Sequence, residues 1–173
     1  MSQSGIANIR TVVGRGSRDE SHHEAVAVAA PIDGSTLFFG CADRGTYLRS
    51  VAKPFQALAL LREGILETFS ITPRELAVIC SSHSGERIHR DLVYGLLARG
   101  GLSVDHLKCG IHSPFSRSEH NRIMAEGEMC DATCNNCSGK HTGMLLACVA
   151  QGYPTEGYLE PQHPVQRSIR AIP

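Results

Sequence analysis

Lysine is nearly missing from this chain: of its 173 residues only Lys53, Lys108 and Lys140 are lysines, and arginine carries the remaining basic charge. An excess of either charge is missing too, since 17 basic residues face 17 acidic ones and the basic ones are scattered. That pattern argues against an electrostatically driven nucleic-acid or anionic-membrane binder. Long apolar runs are absent as well. The stretches around AVAVAA and MLLACVA fall far short of the roughly 20 residues a spanning helix needs. The start, MSQSGIANIR, lacks the apolar core of a secretory signal. Without an export signal, the cysteines (Cys41, Cys80, Cys109, Cys130, Cys134, Cys137 and Cys148) are expected to be mostly buried, reduced thiols of a cytoplasmic protein. A disulfide-stapled module is disfavoured. No repeat, low-complexity tract or linker is present, and the length suits one domain, or part of a larger one, with a real core.

What is there begins as strand. NIRTVVGRG reads as a first strand, HHEAVAVAA alternates, and I-D-G-S offers a turn before TLFFGC. Together they predict an antiparallel meander with one face covered. From Ser50 the period becomes helical, and VAKPFQALALLREG places Val51, Phe55, Leu58 and Leu61 on one stripe before Gly64. Further helices are expected in PRELAVICSS, ERIHRDLVYGLLARGG, SRSEHNRIMAEGE, SGKHTGMLLACVAQG and the beginning of HPVQRSIRAIP. The fold class is therefore α/β in the α+β sense, strands first and packed helices after.

One of the three lysines stands in R-S-V-A-K-P-F-Q, residues 49–56. Pro54 is tolerated best in a first helical turn, which places a helix start near Ser50, with Ser50 a candidate N-cap. Residues three apart share a helix face, so the Lys53 amine can approach the Ser50 hydroxyl. The positive end of the helix dipole and desolvation both favour the neutral amine, and a neutral lysine beside a serine is a base-and-nucleophile pair. The same dipole can stabilise an oxyanion at the attacked carbonyl. Spacing alone also suits an ordinary capping serine.

Three other stretches concentrate polar groups. C-S-S-H-S-G-E, residues 80–86, sets hydroxyls and a histidine where an apolar segment ends, as a scaffold-borne site does. It equally suits a helix end at Gly85 with serines capping the next helix. Ser82 there could relay protons beside a Ser-Lys pair. T-C-N-N-C-S-G-K-H-T-G-M, residues 133–144, holds a C-x-x-C without a second half, which supports neither a closed zinc site nor a thioredoxin motif. Cys137, Lys140 and His141 share one helical start, and lysine ligates a metal only as a neutral amine. A structural helix start with reduced cysteines explains the same residues. C-G-I-H-S-P, residues 109–114, reads as a loop abutting a site, with no chemistry assigned. The remaining histidines show no mutual metal spacing and read as surface or satisfied core residues.

In sequence order, R-S-V-A-K-P-F-Q, C-S-S-H-S-G-E, C-G-I-H-S-P, N-N-C-S-G-K-H-T-G-M and P-Q-H-P-V-Q closely resemble the type II asparaginases of the Rhizobium etli kind. The resemblance covers nearly all of the chain. It implies a fold related to serine β-lactamases and glutaminases, and hydrolysis of L-asparagine to aspartate and ammonia. It implies Ser50 as nucleophile, Lys53 as its base, and Ser82 as a second active-site serine that pairs with a lysine of the C-terminal half. Arg49, His83 and Asn136 match substrate-binding positions. Cys137 and Lys140 match two ligands of a zinc ion that orders the site. Family members run on for about as many residues again, and a third zinc-ligating cysteine and a second lysine lie in that half. Residues 1–173 are therefore expected to be the N-terminal portion of one asparaginase domain, inactive alone, whose incomplete core invites self-association, a homodimer included. Cys134 precedes Asn135 directly, which leaves open whether it joins the metal or lines the pocket. The competing expectations are a non-catalytic truncated module, and a Ser-Lys hydrolase acting on glutamine or a β-lactam.

Overall fold

The computed structural model describes residues 9–40 and 45–172, so Cys41 lies outside the described residues. The chain divides into two compact units, one ending at Tyr47 and the other beginning at Leu48. In the first, β1 (Ile9–Arg15) pairs antiparallel with β2 (Arg18–Ala25), with a register shift between Val13 and Gly14. A second pair joins β3 (Ala27–Ala29) to β4 (Leu37–Phe39). Between these strands the I-D-G-S turn closes through the Gly34 N–H on the Pro31 carbonyl, 3.1 Å. The Asp33 carboxylate accepts from the Ser35 amide and hydroxyl at 2.8 and 2.6 Å.

The strands and their turn agree with the sequence pattern, and the expected single meander with a covered face does not. The described strands form two separate two-stranded sheets, and Val12, Val13 and Val28 are exposed. The alternation in HHEAVAVAA offers alanine at most of its apolar positions, too little side chain to bury a face, and a lone two-stranded sheet has no layer of its own to cover it.

The second unit is helical: α1 (Lys53–Arg62), α2 (Ile65–Phe69), α3 (Pro73–Ile79), α4 (Arg87–Arg99), α5 (Arg117–Glu126), α6 (Ser138–Gln151) and α7 (Pro164–Arg170). Helix α6 is its axis, buried without a break from His141 to Cys148. It packs on α3, α4, α1 and α2. Met144, Leu145 and Leu146 meet Leu60, Ile79, Val93 and Leu97 in one core, each large side chain contributing about 1.5–3 kcal/mol by leaving water. Two glycines let α6 approach α3 closely. A Cβ on Gly139 would stand 2.2 Å from the Val78 carbonyl oxygen, and one on Gly143 2.7 Å from Ile79 Cγ2.

Local chemistry sets the helix ends. Thr72 and Glu75 form a reciprocal capping box at α3, satisfying two otherwise orphaned amides. Glu75 then pairs with Arg99 of α4 at 2.6 Å. Buried Arg90 of α4 bridges to Glu128 at 2.9 Å and donates to Thr133 Oγ1 at 3.1 Å. Arg122 ties Glu119 and Glu128 together at 2.7 and 2.8 Å. This paired network fixes the segment that leads from α5 into α6.

Helix α1 turns a different face inward from the one its pattern predicts. Val51, Phe55 and Leu58 are 65%, 56% and 43% exposed, whereas Lys53 is 2% exposed and buried with Ala57 and Leu60. Nor is Ser50 an N-cap. It lies inside a 3-10 turn, Arg49–Ala52, and Ala52 precedes α1 without any side-chain cap. Pro54 does stand in the first turn of α1, where its missing N–H leaves nothing unpaired.

Candidate active site

The turn that carries Ser50 delivers it to the surface, and α1 carries Lys53 beneath it. Arg49, the residue before Ser50, holds φ of 49°, a left-handed conformation uncommon for a residue with a side chain. The Lys53 amine has three partners: the Ser82 hydroxyl at 2.6 Å, the Ser81 carbonyl at 3.0 Å and the Asn136 carbonyl at 3.3 Å. Ser82 Oγ lies 2.8 Å from Ser50 Oγ. The lysine thus reaches Ser50 through Ser82, where the spacing alone suggested direct contact. Two exposed hydroxyls stand in line on one buried amine.

Gly85 and His83 hold the Ser82 segment in place. Gly85 adopts φ of +78°, and a Cβ there would meet the Cys134 carbonyl at 2.8 Å, so glycine alone fits both the backbone and the space. The Gly85 N–H donates to His83 Nδ1 at 3.1 Å. His83 Nε2 therefore carries the proton and donates to Ser138 Oγ at 2.9 Å, and Ser138 in turn donates to the Thr133 carbonyl at 3.2 Å. Burial, with the nearby charges of His89, Lys53 and His112, pushes the His83 pKa down to about 4. Both its ring nitrogens serve the scaffold, which bolts residues 82–85 to the start of α6.

Asn135 anchors the C-G-I-H-S-P loop at the same place. Its side-chain amide donates to the Cys109 carbonyl at 2.8 Å and to the Gly110 carbonyl at 3.2 Å, and its Oδ1 accepts the Cys137 N–H at 2.8 Å. His141 is equally fixed: the Tyr158 hydroxyl donates to its Nδ1 at 2.8 Å and accepts the Lys108 N–H at 2.8 Å.

A family model of L-asparaginase II matches residues 11–172. The chain belongs to the L-asparaginase II family. No curated protein matches it. Membership in this family points to an amidohydrolase with a small-molecule substrate. Among the described residues no helix is long and apolar enough to cross a membrane.

Within this L-asparaginase II chain, the expected site residues fall into three places. Ser50, Ser82 and Lys53 form the hydrogen-bonded line. Asn136 supplies a carbonyl to that line and turns its side chain toward His112. Cys137 and Lys140 stand at the start of α6, where burial and the charge of Lys53 lower the Lys140 pKa while the thiols of Cys137 and Cys109 raise it. Two of the chain's three lysines therefore converge on one spot. Cys134 is fully buried beside Cys130 and Arg90, its pKa pushed up to about 11 mainly by burial. Among the described residues no group of three or more His, Cys, Asp or Glu side chains could hold a metal ion. The sequence reading passed over Ser138, Asn135 and the carbonyl of Ser81. The one available signal was the position of Asn135 three residues before the start of α6, a placement from which asparagine side chains bond nearby backbone.

Proposed function

We propose that the full-length protein carrying this sequence hydrolyses L-asparagine to L-aspartate and ammonia, with Ser50 as nucleophile and Lys53 as base. The observation that carries the proposal is the line Ser50–Ser82–Lys53, with contacts of 2.8 and 2.6 Å that end on a buried amine. The L-asparaginase II match supports the substrate. Ser50 Oγ attacks the side-chain amide carbon, and its proton passes to Ser82 while the Ser82 proton passes to Lys53. The C–N bond then breaks, and the proton held at Lys53 returns through Ser82 to the leaving nitrogen, which departs as ammonia. Water enters, gives a proton along the same line, and cleaves the aspartyl ester to restore the Ser50 hydroxyl. Arg49, beside the nucleophile, and the Asn136 side chain would hold the substrate.

Cys137 and Lys140 would hold a zinc ion. The half-buried amine of Lys140, lowered in pKa by desolvation, suits a ligand that must be neutral, and the two residues make half of a tetrahedral donor set. When bound, zinc would order the start of α6 beside Lys53.

In the full-length protein, Ser50→Ala or Lys53→Ala abolishes ammonia release from asparagine, measured against glutamine in parallel. Near-normal release by either variant removes the assignment, and a preference for glutamine replaces the substrate. Cys137→Ser is expected to lower the zinc content of the purified protein, and unchanged zinc would discard that ligand.

A further inference from the structure

His112, in the C-G-I-H-S-P loop, takes no part in the steps above, yet its ring is fixed on both sides. Its Nδ1 lies 2.7 Å from the Ser113 carbonyl, which can only accept. The proton therefore sits on Nδ1, and Nε2 is left to accept the Asn136 backbone N–H at 3.1 Å. Asn136 Oδ1 lies 3.3 Å from the same nitrogen, an acceptor beside an acceptor, and makes no hydrogen bond to it in this tautomer. Phe115 stacks on the ring with centroids 4.9 Å apart. Asn136 is thus held at its N–H by His112, while its carbonyl accepts from the His83 N–H at 3.3 Å and from the Lys53 amine at 3.3 Å.

That carbonyl matters for the base. A neutral amine has two N–H donors and one lone pair, and an ammonium has three donors. The Ser81 and Asn136 carbonyls at 3.0 and 3.3 Å can take two donors in either state. The third direction then points at Ser82, 2.6 Å away, so the lone pair of the neutral amine is committed to the Ser82 proton. Without the Asn136 carbonyl the amine can rotate, and the lone pair loses that direction.

We propose that His112 is a positioning residue for amide hydrolysis: by accepting the Asn136 N–H it aims the Asn136 carbonyl that holds the Lys53 amine on Ser82. The inference rests on the Ser50–Ser82–Lys53 reading, and it assigns a task to a loop that carried none.

The test compares His112→Gln, His112→Asn and His112→Ala in the full-length protein. Glutamine carries its Oε1 near the position of Nε2 and keeps the acceptor, whereas asparagine reaches only the Nδ1 position and alanine neither. With asparagine as substrate, the Asn and Ala variants are expected to lose roughly 10- to 100-fold in kcat with little change in KM, as for a misdirected catalytic group. The Gln variant is expected to keep most of kcat. Hydrogen exchange of the Asn136 amide should be slow in the wild type and Gln variant and fast in the other two. Equal kcat across the three variants, a change confined to KM, or an Asn136 amide equally protected in all of them would overturn the proposal. Wild-type protein that releases no ammonia, with Ser50→Ala as its reference, would instead remove the catalytic reading. In that case the exchange series alone still decides whether His112 holds Asn136.

Discussion

In the proposed mechanism the chemistry turns on Ser82, which touches both Lys53 and Ser50 and, among the described hydrogen bonds, joins the two. A hydroxyl can accept one proton while giving up another, so in that mechanism Ser82 would move a proton between them without itself changing charge. Ser82→Ala deletes this link and leaves a small gap at an exposed position, where little stability is at stake. Its kcat for asparagine is expected to fall by about 10²- to 10⁴-fold, the usual weight of a general acid–base step, with the unfolding midpoint unchanged. Activity within a few-fold of wild type would place Lys53 in direct exchange with Ser50. The scarcity of lysine sharpens this reading. Lys53 is buried with carbonyls and a hydroxyl around it and without an acidic partner among its hydrogen bonds. Such a placement serves a base better than a salt bridge.

Helix α6 carries the start of the site on a close crossing with α3, and two glycines measure how close. A methyl on Gly139 would press on the Val78 backbone at 2.2 Å, whereas one on Gly143 would press on the side chains of Ile79 and Leu60 at 2.7 and 2.9 Å. Backbone cannot step aside as side chains do. Gly139→Ala is therefore expected to destabilise by about 3 kcal/mol or more, and Gly143→Ala by about 1–2 kcal/mol, both read from chemical denaturation. Gly95 in α4 has nothing within 4 Å of its added Cβ, so Gly95→Ala should stabilise by about 0.5–1 kcal/mol through helix propensity. An equal effect at all three positions would contradict the crossing. The sequence announced α6 clearly, through its apolar run and the glycine at its end, and it announced Pro73 as a helix start. It could not say which face of α1 is buried. Val51, Phe55 and Leu58 are the apolar stripe by composition, and the requirement to bring Lys53 under Ser82 turns the helix the other way. The Ser-x-x-Lys pattern was readable because about one helical turn sets its spacing, and Ser82 because hydroxyls cluster where an apolar segment ends. That Ser82 stands between Ser50 and Lys53 was not readable. The bonds of His83 to Ser138 and of Asn135 to the Cys109 loop join residues tens of positions apart, and no local pattern encodes them.

The acid response of the helical unit as a whole follows from buried groups that resist taking protons. His83 is 5% exposed, and burial together with nearby charges lowers its pKa from 6.5 to about 4. Between those values the unfolded chain binds a proton that the native protein refuses. The stabilising contribution is therefore complete above pH 6.5 and is lost as pH falls through about 4, with a limiting slope of about 1.4 kcal/mol per pH unit for one proton. A second set of groups follows at lower pH. Asp131 and Glu75 are pushed up by burial, but hydrogen bonds from Thr133 and Tyr94, and from Arg99 and Thr72, outweigh it and hold both below the usual carboxylate range. The arginine bonds of Glu119 and Glu128 hold those two low as well. Depressed carboxylates stabilise above their unfolded pKa, and the contribution disappears as they are protonated below it. His141, likewise buried and pushed down to about 3 by burial and the charges of Lys140 and Lys53, adds a second proton of the kind His83 refuses. Stability measured by urea unfolding should accordingly be flat between about pH 6.5 and 8, decline with a slope near two protons toward about pH 4.5, and fall more steeply below that. His83→Gln keeps a hydrogen-bonding side chain at Ser138 but has no proton to take up, so it should roughly halve the first decline, leaving the share of His141, and leave the second. A first decline of unchanged slope in that variant would mean that another buried base, not His83, sets the early acid response.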